Sequence, residues 1–201
     1  MAITVDQIKA LREQTGVGIL DCRKALEDAN GDYDLALENL RAKGLATAAK
    51  RADREASEGI VELYSHGDGR VGVMVEVNCE TDFVSRSKEF RNFAHEIALQ
   101  IAASTPRYIR VEDIPEDVLD LRRNILREQA LEEGKPENIV DRIVDGRMDK
   151  YIQEICLLNQ DYIRDDNITI EQLLLENIAA IGENVIIRRF ERWELGESTA
   201  N

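Results

Sequence analysis

Histidine is almost missing from this chain. The 201 residues include two, His66 and His95, far apart in sequence. Two isolated imidazoles do not make a metal site. Cysteine is nearly as scarce. Cys22, Cys79 and Cys156 are odd in number, widely spaced and without a CxxC pair. This argues against a disulfide framework and fits a reducing cytoplasm. No segment approaches the roughly 18 apolar residues of a membrane helix. The stretch Met1-Ala2-Ile3-Thr4-Val5-Asp6 has neither the basic nor the apolar region of a signal peptide. An excess of positive charge is lacking too: 26 Lys and Arg stand against 40 Asp and Glu, a formal net charge of −14. That opposes non-specific adhesion to nucleic acid or anionic lipid, whose affinity comes from neutralising phosphate. The remaining partners are proteins. Phosphate-loop, dinucleotide-fingerprint, zinc-protease and nucleophile-elbow motifs are all absent. The sequence therefore implies no metal, no cofactor and no catalytic residue.

What is present is enough for a core. Hydrophobic residues make up 43% of the chain, and the 33% that is charged is mixed in sign, which excludes general disorder. Residues 4–44 read as three short helices. Thr4 and Gln7 form a capping box, with Val5, Ile8 and Leu11 at helical spacing. Gly16 and Gly18 make a turn, and Ile19, Cys22, Leu26 and Ala29 give a second apolar face. Asn30-Gly31 breaks it, Asp32 caps a third helix, and Gly44 ends that one. The alanine-rich stretch that follows carries Lys50, Arg51 and Arg54. It reads either as a helical linker between two modules or as a solvated helix face. Residues 59–78 form a hairpin with its turn at His66-Gly67-Asp68-Gly69, and Val71, Val73, Val75 and Val77 share one face of its second strand. Helices follow around Phe90–Ile101, from Pro115, around Ile139–Ile155 and from Thr169 to Gly182, and Val185–Trp193 alternates as a last strand. Strands do not alternate regularly with helices. The expected class is α+β, with a small, mostly antiparallel sheet packed by helices.

The second hairpin strand runs into Asn78-Cys79-Glu80-Thr81-Asp82-Phe83-Val84. Two readings of this segment stand side by side. Asp82 caps the next helix and Phe83 packs on the sheet, or Phe83 is an exposed anchor that fills a pocket in a partner. Aromatic residues dominate interface hot spots because they bury much area at little entropic cost. Pattern alone does not choose between them. Cys79 beside Glu80 has no cation in sequence to activate it and reads as a buried strand-end thiol.

The same run resembles the signature of the elongation factor Ts family. Thr15-Gly16-Val17-Gly18-Ile19-Leu20-Asp21-Cys22-Arg23-Lys24-Ala25-Leu26 is similar to that family's N-terminal motif. Gly31-Asp32-Tyr33-Asp34, Gly134-Lys135-Pro136, Asp145-Gly146-Arg147-Met148 and Ile181-Gly182-Glu183-Asn184-Val185 with Arg188-Arg189 resemble its later segments in order. The resemblance implies a guanine-nucleotide exchange factor for elongation factor Tu, working without covalent chemistry in the cytoplasm. It implies residues 1–54 as a three-helix module similar to ubiquitin-associated domains plus the basic helical linker, and residues 55–201 as the core. Thr81, Asp82, Phe83 and Val84 would disturb the partner's Mg²⁺ site, with Phe83 entering an apolar pocket and Asp82 supporting it. Ile19, Leu20 and Arg23 would dock elsewhere on the same partner. Arg23 stands where lysine is common in the family, which keeps the charge and alters its geometry. The length leaves room for one core subdomain, which implies a homodimer sharing a sheet or helix surface about a two-fold axis. Two rival readings are an adaptor built on a ubiquitin-binding-like module and an acid–base enzyme using the many carboxylates. The second would require a pocket holding a strongly perturbed carboxyl group.

Overall fold

A computed structural model describes residues 3–197; the side chains of residues 45 and 49 lie outside the description. The chain forms two compact units, one made of residues 1–99 with 171–201, the other of residues 100–170.

The first unit opens with three helices, α1 (Val5–Thr15), α2 (Ile19–Asp28) and α3 (Tyr33–Ala49). The Thr4–Gln7 capping box is formed, and the Asp32 carboxylate accepts the Leu35 N–H at 3.1 Å. Leu11, Cys22, Ala25, Leu26, Ala29, Ala36 and Leu40 make a closed apolar cluster. Gly44 does not end α3: the helix continues to Ala49, so the alanine-rich stretch is its last turns and not a separate helix. A glycine inside a helix costs about 1 kcal/mol. Here it permits close approach, since a Cβ at Gly44 would stand 3.0 Å from that of Ala179, and one at Gly16 2.9 Å from that of Ala180. Both alanines lie on α8 (Ile170–Ile181). Arg51 donates to the Ile178 carbonyl at 3.2 Å, and Arg41 pairs with Glu176 at 3.2 Å. The three-helix module is therefore seated on α8.

The sheet of this unit has three antiparallel strands in the order β1–β2–β5, with β1 spanning Glu58–His66, β2 Val71–Cys79 and β5 Val185–Glu194. Gly59 pairs with Asn78 at φ +148°, where a Cβ would stand 2.2 Å from the Val77 carbonyl oxygen. Only glycine fits there. Val73, Val75, Val77 and Cys79 face inward from β2, as do Val185 and Ile187 from β5. The strict alternation expected along β5 is broken. Val77 pairs with Ile187 but Glu76 with Arg189, so Arg188 is an extra residue, a β-bulge. Beyond the bulge the faces exchange, and Arg189, Glu191 and Trp193 turn to the open side. Two further helices follow β2: the single turn α4 (Asp82–Ser85) and α5 (Lys88–Ser104). Phe90, Phe93, Ala94 and Ile97 form the buried stripe of α5, and His95 reaches Glu62 of β1 at 2.9 Å.

The second unit is built on α6 (Glu116–Glu132) and α7 (Glu137–Ile155), antiparallel helices whose Leu126, Ala130, Val140, Val144 and Met148 interlock. Gly146 lies within α7 without ending it. A short hairpin of β3 (Asp161–Tyr162) and β4 (Asp165–Thr169) was not expected from the sequence. Its anchor is Gln100, fully buried, which donates to Gln160 and to the Asp161 carbonyl and accepts the Ile163 N–H. The expected class, α+β with a small antiparallel sheet, is the one found. No helix among the described residues is long and apolar enough to cross a membrane.

Candidate protein-interaction site

Strand β2 ends at Cys79, and the chain must turn sharply to start α4. Thr81 performs the turn. Its backbone is extended (φ −129°, ψ 154°), and its hydroxyl accepts the Val84 N–H at 3.4 Å, so Thr81 and not Asp82 is the N-cap. Ser85 returns its hydroxyl proton to the Asp82 carbonyl at 2.9 Å. Asp82 makes an exposed ion pair with Arg86 at 2.9 Å. Ser87 accepts the Phe90 N–H at 3.2 Å and opens α5. Phe83, in the middle of this tight turn, is 82% exposed. The reading in which Phe83 packs on its own sheet is therefore wrong for the free chain. Val84 beside it is half-buried.

Glu183, 103 positions after Glu80 and 102 after Thr81, holds this turn. One Glu183 carboxylate oxygen accepts the N–H groups of Glu80 and Thr81 at 3.1 and 3.0 Å, and the other accepts the Thr81 hydroxyl at 2.7 Å. Glu80 answers by accepting the Asn184 N–H at 2.6 Å. Asn184 is buried, and its side-chain amide donates to the carbonyls of Ala52 and Arg54 at 3.2 and 2.7 Å. Arg188, the bulge residue, donates to Asn78 at 2.9 Å and to the Ala56 carbonyl at 3.0 Å. The motif Gly182-Glu183-Asn184 carried no hint of this part, because its partners are remote in sequence.

Cys79 is fully buried and donates to the Thr81 carbonyl at 3.2 Å. Desolvation, and then the nearby Glu183 charge, push its thiol up to about 11. A thiol so protonated is a poor nucleophile. The carboxyl groups of Glu76 and Glu133 are both pulled down, by hydrogen bonds from Arg189 and Arg147 respectively. A general acid at neutral pH needs the opposite displacement.

The other residues expected at the interface lie at the start of α2. Leu20 is 82% exposed and Ile19 about half exposed. The periodic reading that placed Ile19 on the inner face with Cys22 and Leu26 is corrected here. Arg23 is one turn on, paired with Glu27 at 2.8 Å on the open surface. Ile19 and Leu20 are exposed and Arg23 lies one turn beyond both, so the three form one outward patch, while Cys22, Ala25 and Leu26 face the module's core.

The family model described as "Elongation factor TS" matches residues 38–197. Elongation factor Ts of Carboxydothermus hydrogenoformans is 57% identical over 198 residues, covering 98% of this chain and 91% of that protein. Elongation factor Ts of Caldanaerobacter subterraneus subsp. tengcongensis is 58% identical over 195 residues, covering 97% and 98%. That of Moorella thermoacetica is 55% identical over the same length. The chain is thus similar throughout to translation elongation factors, and its role lies in protein biosynthesis. It belongs to the elongation factor Ts family.

Proposed function

We propose that this chain is a guanine-nucleotide exchange factor that acts on elongation factor Tu in the cytoplasm. The observation that carries the reading is Phe83: a large apolar side chain, 82% exposed, on a turn whose backbone is hydrogen-bonded from both sides. Phe83 enters an apolar pocket of the partner's nucleotide-binding domain. Thr81, Asp82 and Val84 press beside it and disturb the partner's Mg²⁺ site, while Ile19, Leu20 and Arg23 dock at a second place. Residues 1–54 act as the ubiquitin-associated-like module with its linker, and residues 55–201 as the core.

Linkage turns such binding into exchange. A factor that binds the nucleotide-free partner more tightly than the GDP form weakens GDP by the same ratio. GTP, binding later, expels the factor. No bond in this chain is made or broken. The net charge of −14 supports partners that are proteins, with neither nucleic acid nor membrane bound directly.

The working form in this reading is a homodimer. The open face of the sheet supports it. Leu63 and Met74 lie opposite each other in register on that face, as do Gly72 and Trp193, with Val61 two residues along; Leu63 is 70% and Trp193 76% exposed. An apolar patch on a sheet marks an interaction surface.

Release of fluorescent GDP from elongation factor Tu, measured with and without this protein, tests the proposal. Acceleration at substoichiometric amounts is the expected result, and none would sink it.

A further inference from the structure

Phe83 is 82% exposed, so its aim is inherited mainly from the backbone of residues 80–84. A four-residue turn such as α4 has no stability in isolation, since one helical turn costs more to nucleate than its single bond returns. Something outside the turn must order it, and the geometry singles out one side chain.

We propose that Glu183 is a positioning residue for exchange: it holds the Phe83 turn in its docking conformation before the partner arrives. This rests on the exchange reading given above. Three donors converge on its carboxylate, the N–H groups of Glu80 and Thr81 and the Thr81 hydroxyl, all between 2.7 and 3.1 Å. A carboxylate is an acceptor only, so all three bonds are charge-assisted. The hydroxyl bond has a further consequence. Thr81 has one hydroxyl proton, and Glu183 takes it. The oxygen's lone pairs are then left for the Val84 N–H, the bond that caps α4. Glu183 thereby sets the polarity of the cap that orients Phe83.

The hold is reciprocal. Glu80 accepts from Asn184, so the segments Glu80–Thr81 and Glu183–Asn184 are cross-bonded in both directions. Asn184 extends the hold to the carbonyls of Ala52 and Arg54, in the stretch that follows the three-helix module. One turn, Gly182–Asn184, thus ties the Phe83 turn to the stretch that follows the three-helix module.

Catalysed GDP release from elongation factor Tu is measured for the full chain and for Glu183→Ala, Glu183→Gln, Phe83→Ala and the double variant Glu183→Ala with Phe83→Ala. Glu183→Ala is expected to lower the exchange efficiency about tenfold or more, since small misplacements of a docking group are costly. Glu183→Gln keeps an acceptor for the N–H groups and is expected to recover most of the loss. In the Phe83→Ala background, removing Glu183 is expected to cost markedly less than in the wild type, because much of its effect runs through Phe83. Equal fold-losses in both backgrounds, or wild-type exchange by Glu183→Ala, would overturn the proposal. Should Glu183→Ala fail to fold, Thr81→Val replaces it, with the same non-additivity expected. A second readout needs no partner. In a Trp193→Phe background, the indole introduced by Phe83→Trp is expected to lose fluorescence anisotropy when Glu183 becomes Ala. Unchanged anisotropy refutes the positioning role even where exchange falls. A wild-type protein that does not accelerate release refutes instead the exchange reading itself.

Discussion

Removal of the Phe83 ring should separate binding from folding. The side chain is 82% exposed in the free chain, so Phe83→Ala gives up almost no buried area there. Surface changes of this kind stay within about 0.5 kcal/mol of wild type. In the proposed complex with the partner the ring is buried. An aromatic side chain carries roughly 150–250 Å², and after allowing for the alanine that remains, about 100 Å² of apolar area is lost. At about 25–30 cal/mol per Å² this is ~2–3 kcal/mol, or ~30–150-fold in affinity for the nucleotide-free partner. The assay is single-turnover release of fluorescent GDP across a range of exchange-factor concentrations, beside thermal unfolding of both proteins. The expected outcome is a curve shifted to higher concentration by that factor, with an unfolding midpoint close to wild type. A midpoint several degrees lower would mean that Phe83 packs inside its own fold. Unaltered exchange would mean that the ring enters no pocket. Either result refutes the reasoning.

Other outcomes follow from the same contacts. Gly59→Ala places a Cβ 2.2 Å from the Val77 carbonyl and should destabilise the β1–β2 pairing by more than ~2 kcal/mol in urea titrations. Trp193→Asp puts a charge on the open sheet face and should convert a dimer to monomer in analytical ultracentrifugation, with little loss of monomer stability. Burial pushes the thiols of Cys79 and Cys156 up to about 11. A raised value favours the protonated thiol in the fold, so this stability is complete below about pH 8.5 and is lost as pH rises towards 11. Each contributes up to ~2–3 kcal/mol, and Cys79→Ala should flatten the loss seen in unfolding titrations over that range.

The elements that sequence made legible are those whose signals are local. The Thr4–Gln7 box, the Asp32 cap and the Val71–Val77 alternation involve residues three or fewer apart or a simple period, and all are found where expected. The errors have a common cause in tertiary contact. Gly44 looks like a stop, yet it lies at a close approach to α8, where a Cβ would stand 3.0 Å from that of Ala179, and the helix runs on. Strand β5 looks regular, yet Arg188 bulges and donates to Asn78 and Ala56, which turns Trp193 outward. The β3–β4 hairpin depends on Gln100, about 60 residues before it, and leaves no periodic trace. At the candidate site, pattern marked Phe83 as either core or anchor, and its exposure removes the first reading. Glu183 lies in a motif noted in the sequence, but its part was not seen there, because its three donor groups, on Glu80 and Thr81, are more than 100 residues away.

An exposed phenylalanine is not enough to make a wedge, and the magnitudes show why. Burying Phe83 in a partner contributes ~2–3 kcal/mol. Ordering a free backbone costs about 1–2 kcal/mol per residue, so fixing the four residues Thr81 to Val84 only on arrival would cost roughly 4–8 kcal/mol. A floppy turn would therefore consume more free energy than its aromatic supplies. The bonds from Glu183 and the Thr81 cap move that ordering into the folding of the chain, where the packed core of the unit offsets it. What then remains at binding is the gain from the ring. In the proposed mechanism the polar frame and the apolar tip are parts of one device: an exposed ring on a backbone held by hydrogen bonds from within its own unit.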